Sequence, residues 1–174
     1  GNPPFLAGRR ISGELGQDYL AYLRRAYPSS HGQADLCAFF FLGTFEKLRS
    51  DGITGLIATN TIAQGDTRES SLEYLEVEGA TIFAADSSLA WPGTAAVFVS
   101  TVCFAKAAYK GHRTLDGRSV PAISSMLDDA QGVSAPRILQ MNSNQAFKGS
   151  DTGGIGFILE PSEAASLIVK NPLN

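Results

Sequence analysis

The stretch AAVFVSTVCFA, residues 95–105, is the strongest strand signal in the chain. It is dense in Val and Phe, which suit a pleated, half-buried surface. Two shorter apolar runs precede it: ITGLIAT at 53–59 and ATIFAA at 80–85. The first reads as a buried strand, the second as another short strand. The loop between 80–85 and 95–105 is too short for a crossover helix, so these two strands are expected to pair antiparallel.

Working outward, residues 1–12 are rich in Gly, Pro and Arg and read as loop. Leu15, Tyr19, Leu23 and Tyr27 recur every four residues, which predicts an amphipathic helix stopped by Pro28. Asp35 is placed to cap a longer helix reaching about Arg49, with Gly52 just past its end. Its centre, 36–42, is apolar almost all round, so it is expected to be buried. Residues 67–78 alternate acids with Leu72, Tyr74 and Leu75 and read as a solvent-facing helix. The order is then helix, helix, strand, helix, strand, loop, strand, the grammar of an α/β sheet. Beyond Lys106 the texture turns Gly/Ser/Asn-rich, with a candidate strand at 155–159. A short helix follows at 161–170, with Pro161 in its first turn and Asn171-Pro172 as its stop.

Composition excludes several classes. The chain has 174 residues, 44% hydrophobic and 18% charged, enough apolar side chain for a core and too much for a disordered chain. No apolar run approaches the roughly 18 residues of a membrane span, and no secretory signal opens the sequence. Cys37 and Cys103 lie in apolar segments and read as buried thiols of a reducing cytoplasm rather than a disulfide scaffold. Two lone His and two lone Cys argue against a zinc site, so no metal is expected. Net charge is −3, unevenly distributed. Residues 1–50 carry six Lys/Arg against four Asp/Glu, 51–90 one against seven, and 91–174 seven against six. A nucleic-acid partner would have to meet the first or last segment.

Chemistry concentrates at the start, in Asn2-Pro3-Pro4-Phe5. Two prolines stiffen the backbone and remove two N–H donors, leaving carbonyls unpaired. The Asn oxygen and a Pro carbonyl can then both accept from one exocyclic amine, while a flat ring stacks on a flipped base.

Asn2-Pro3-Pro4-Phe5 resembles the catalytic motif of DNA methyltransferases that modify adenine N6 or cytosine N4. The resemblance extends through GNPPFLAGRRI (1–11), ADLCAFFFLGTFEKL (34–48), GITGLIATNTIAQGDTRE (52–69), ATIFAADSSLAWPGTAAVFVSTVCF (80–104) and LDG (115–117). These follow one another as in the MmeI-like, type IIL restriction–modification group. The closing GFILEPSEAASLIVKNPLN (156–174) resembles the segment leading into that group's target-recognition domain.

The resemblance implies the C-terminal part of a class I S-adenosylmethionine-dependent methyltransferase fold, an α/β mixed sheet with an antiparallel strand. It divides the chain into a catalytic half, 1–106, and an irregular extension toward target recognition, 107–174. It implies transfer of a methyl group from S-adenosylmethionine to adenine N6 in double-stranded DNA, with the adenine flipped out. Asn2 and Pro3 would accept from the 6-amino group, Pro4 would stiffen the motif, and Phe5 would stack on the base with Trp91 as a second aromatic. Arg9, Arg10 and Arg68 are candidate phosphate contacts.

Relatives hold S-adenosylmethionine on a glycine-rich loop N-terminal to the motif, and no such loop precedes Gly1. The glycines at 153, 154 and 156 follow no strand and open no helix, so they do not replace it. The chain therefore reads as a catalytic fragment, inactive without an N-terminal methyltransferase and nuclease portion. Its sheet is expected to run 53–59, 95–105, 80–85, with 80–85 outermost. The free edge of 53–59 would favour a homo-oligomer. A non-catalytic DNA- or protein-interaction module derived from this fold is the alternative. An unrelated α/β enzyme ranks last, because His31 and His112 have no Gly-x-Ser-x-Gly elbow nearby.

Overall fold

Ile53–Thr59 forms strand β1, with the bounds its apolar run predicted, and everything else in the sheet is arranged from it. In the computed structural model, which describes residues 1–91, 97–129 and 161–170, β1 is antiparallel to β3 (Phe98–Ala105). The register runs from Ile53 opposite Ala105 to Thr59 opposite Val99. Strand β2 (Thr81–Ala90) flanks β3 on its other side, also antiparallel, with breaks in register between Ile82 and Ala84 and between Asp86 and Leu89. The order β1–β3–β2 and the antiparallel pairing follow the sequence expectation.

Two details differ. Strand β2 runs five residues further than 80–85, and it is not outermost. Thr114–Leu115 (β4) adds parallel to β2, and Arg118–Ser119 (β5) pairs back on β4 around a turn at Asp116 and Gly117. Gly117 adopts φ 73°, the left-handed conformation that glycine takes without steric cost. Two-residue strands carry too little pattern to be read from sequence.

The free edge of β1 is partly paired. Gly1 N–H donates to the Gly55 carbonyl at 2.6 Å, and Ile57 N–H donates to the Gly1 carbonyl at 2.9 Å. This alternation is that of a parallel ladder. The expected row of unpaired groups is thus interrupted where the Asn-Pro-Pro-Phe segment begins.

Before the sheet come α1 (Gly8–Leu15), α2 (Gln17–Ala26) and α3 (Leu36–Lys47). Helix α1 begins inside the expected loop. Gly and Arg give little local reason for it, but Ile11 is fully buried beside Leu23, Leu36 and Phe39. Tertiary burial overrides weak propensity there. The four-residue periodicity at 15–27 does not make one helix, because Gly16 at φ 92° separates α1 from α2. Helix α3 is buried along most of its length, as its all-round apolar centre predicted. Only Phe40 among its large apolar residues is exposed. Phe41 stacks on Phe104 of β3 with ring centroids 6.0 Å apart, at the centre of the core. Burying one such ring contributes roughly 1.5–3 kcal/mol.

After β1 a 3₁₀ turn (Asn60–Ala63) leads into α4 (Gly65–Arg68), a π-helical turn (Glu69–Glu73) and α5 (Tyr74–Val77). The expected solvent-facing helix is here corrected. Thr67, Arg68, Ser70, Ser71, Leu72 and Leu75 are all buried, because the segment packs on α3 and covers the core.

Contacts divide the chain into Gly1–Val133 and Ser134–Asn174. In the second unit, α6 spans Pro161–Lys170, as expected. The candidate strand at 155–159, the glycines at 153–156 and the stop at Asn171-Pro172 lie outside the described residues. No described helix is long and apolar enough to cross a membrane.

Candidate functional site

The motif hangs between two backbone clamps. At its start, Gly1 is paired onto Gly55 and Ile57 of β1. At its end, Leu36 N–H donates to the Leu6 carbonyl at 2.9 Å, and Gly8 N–H donates to Asp35 Oδ1 at 2.9 Å. Between the clamps, Pro3 is buried, whereas Asn2, Pro4 and Phe5 are exposed. The Asn2 carboxamide has no hydrogen bond to any described residue, so its oxygen is free to accept from a ligand.

Phe5 and Trp91 are 86 positions apart in sequence and meet in space. Their ring centroids are 6.5 Å apart at an interplanar angle of 82°. Phe5 is 36% exposed and Trp91 is half-buried, its backbone N–H donating to the Val97 carbonyl at 3.0 Å. Two large aromatic edges, with an unbonded carboxamide three residues before Phe5, are groups suited to a flat heteroaromatic ring with an exocyclic amine.

The three arginines separate. Arg9 and Arg10 are exposed in the first turn of α1, directly after the motif, and Arg10 is paired with Glu14 one turn on. Arg68 is only 7% exposed. Its Nη1 donates to Ser125 Oγ at 3.2 Å and lies 3.1 Å from Glu73 Oε2, with Nη2 3.6 Å from Glu69. The expected phosphate contact at Arg68 is therefore corrected to an internal tie between the 65–77 segment and the loop at Ser125.

Sequence reasoning took Asp35 for a helix cap and missed what it holds. Asp35 makes no side-chain cap bond to α3. Its Oδ1 accepts from Gly8, and its Oδ2 accepts from Thr61 Oγ1 at 2.6 Å and Thr59 Oγ1 at 3.5 Å. Asp35 N–H donates to Thr67 Oγ1 at 3.1 Å. Its side-chain partners lie 24 to 27 positions away, so no local signal marks them.

Neither thiol is poised as a nucleophile. Burial, with the nearby Asp35 charge, pushes Cys37 up to about 11, and burial also raises Cys103. Elsewhere His31, Asp66 and Glu69 bring ligand-type atoms within 4.8 Å of one another. His31 Nδ1 faces the Ser29 carbonyl at 3.2 Å and Nε2 faces Glu69 at 3.1 Å. Both neighbours are acceptors, so this geometry suits the imidazolium, and the Glu69 hydrogen bond raises the His31 pKa.

Known proteins resemble this chain over part or nearly all of its length. Residues 1–78 match the family model of the Eco57I restriction-modification methylase. The match covers the motif, both clamps, β1 and the segment after it. Among solved structures, the chain is similar to the type IIL restriction-modification enzyme MmeI in complex with DNA. The TM-score is 0.67 at 19% identity, over 99% of this chain and 25% of that one. At that identity the likeness is one of fold, and the chain spans a quarter of the length of the enzyme it matches. No curated protein matches. The methylase match and the shared fold agree with the MmeI-like methyltransferase resemblance drawn from the sequence.

Proposed function

We propose that this chain carries the base-accepting part of a site-specific DNA methyltransferase that modifies adenine at N6. The observation that carries this reading is the meeting of Phe5 with Trp91, with the unbonded Asn2 carboxamide three residues before Phe5 in the segment matched to restriction-modification methylases. On this reading, a flipped base enters against the two rings. The Asn2 oxygen and the Pro3 carbonyl accept from its exocyclic amine, holding the nitrogen lone pair toward the incoming methyl group. The aromatic edges exclude water from one side of the ring. Arg9 and Arg10, on the turn after the motif, meet backbone phosphates.

S-adenosylmethionine, when bound, supplies the electrophilic methyl. The described residues around Asn2 fit the amine side of the reaction. None of them forms a glycine-rich turn between a strand and a helix that would fit the donor, so no contact to it is assigned.

The test is methyl transfer to double-stranded DNA by the protein that carries this chain, with the modified nucleoside identified by mass spectrometry. N6-methyladenine is the expected product. N4-methylcytosine would correct the base. No methylated nucleoside from a folded, donor-supplied protein would favour a non-catalytic DNA-binding module.

A further inference from the structure

We infer that Asp35 is a positioning residue for the Asn-Pro-Pro-Phe motif, a brace that sets Asn2 against the substrate amine by tying both ends of the motif to one strand. The inference rests on the proposed methyltransferase reading. It starts from how little holds the motif itself. Pro3 and Pro4 have no N–H, and the Asn2 side chain bonds no described residue. The direction of the Asn2 carboxamide is therefore set by its flanks.

The upstream flank is Gly1, laid on Gly55 and Ile57 of β1. The downstream flank is residues 6–8, laid on residues 33–36. There the approach is so close that a Cβ on Gly8 would sit 2.1 Å from the Gln33 carbonyl oxygen. Asp35 connects the two. One carboxylate oxygen accepts from Gly8 N–H at 2.9 Å. The other accepts from Thr61 Oγ1 at 2.6 Å, and Thr61 is bonded to Thr59 at 2.7 Å, the last residue of β1. Both clamps are thus referenced to the same strand, and their separation is fixed by a charged acceptor. Hydrogen bonds to an ionised acceptor are roughly twice as strong as neutral ones, which suits a tether that must not drift. Asp35 touches no reacting atom. It acts through Gly8 and the strand end.

The experiment compares the parent protein with Asp35→Ala, Asp35→Asn, Thr61→Val and Asn2→Ala in steady-state methyl transfer, with melting temperature measured alongside. Misplacement of a catalytic group by a fraction of an ångström to 1 Å costs about 10- to 100-fold in rate. Asp35→Ala is therefore expected to lower kcat about tenfold or more while KM for DNA changes little. Asp35→Asn should restore kcat to within about threefold, because its amide oxygen still accepts from Gly8 and Thr61 can turn to accept from its NH₂. Thr61→Val should fall between, and it carries the test if Asp35→Ala does not fold. A purely structural role would lower the melting temperature and active fraction of Asp35→Ala and Asp35→Asn alike, without the kcat-only loss and its rescue, and would overturn the inference. So would an Asp35→Ala or, in its place, a Thr61→Val enzyme with parental kcat while Asn2→Ala is inactive. An active Asn2→Ala enzyme would instead bring down the site reading itself.

Discussion

Residues 65–77 and residues 1–5 sit the opposite way round from what their chemistry suggests. The first segment is acidic and hydroxyl-rich, yet Thr67, Arg68, Ser70 and Ser71 are buried. The second ends in a phenylalanine, yet Phe5 faces solvent beside Trp91. The inward polar groups are satisfied. Arg68 has Ser125 and Glu73, Ser71 donates to the Thr67 carbonyl, and Ser70 accepts from the His31 backbone. The outward aromatic is left without a full apolar cover. The contrast separates two jobs. Buried polar groups with internal partners hold the molecule together, whereas an exposed ring with an unbonded carboxamide three residues before it is available to something else.

The largest expected effect lies at the exposed segment. Asn2→Ala should lower kcat for methyl transfer by about 100-fold or more, as loss of one preorganised polar contact to a reacting group does. Donor binding by calorimetry should stay close to parental. Parental turnover would show that the motif does no chemistry. Next come the rings. Phe5→Ala and Trp91→Ala should each weaken retention of an extruded base by roughly 1–3 kcal/mol. The readout is fluorescence of 2-aminopurine at the target position, and unchanged emission would remove that ring from the site.

At the buried segment the expectation is reversed. Arg68→Ala should cost about 2 kcal/mol of stability, since it removes charge-assisted hydrogen bonds and leaves Ser125 without its donor. DNA affinity of the folded fraction should be unchanged. A stable variant with a reduced salt slope of DNA binding would return Arg68 to the phosphate contacts.

The smallest effect belongs to His31, which joins the 28–35 loop to Glu69. Its pKa is raised in the folded protein, chiefly by the Glu69 hydrogen bond. Its contribution is therefore fully present below the ordinary imidazole range. It disappears as pH rises through the elevated folded value. The pair is half exposed, so water screens it to about a few tenths of a kcal/mol. Melting temperature measured from pH 5 to 8 should show a slight decline that Glu69→Gln flattens. An identical decline in both proteins would assign the pH dependence elsewhere.

Local pattern was enough where an apolar run or a periodic stretch is bounded by turn residues. The bounds of β1, the burial of α3, the antiparallel pairing of β2 with β3 and the position of α6 all follow from apolar runs and turn residues. In those places the signal lies within consecutive residues. The Asn-Pro-Pro-Phe motif was legible for a different reason, because the chemistry proposed for it depends on residues next to one another. The tertiary structure decided what depends on residues far apart. Helix α1 forms because Ile11 finds a core, and Arg68 turns inward because Ser125 and Glu73 meet it there. Phe5 finds Trp91 across 86 positions, and Asp35 finds Gly8 and Thr61 rather than capping its own helix. A hydrogen bond or ring contact between distant residues leaves no period in the sequence. Its partners become neighbours only once the sheet has fixed where each loop ends.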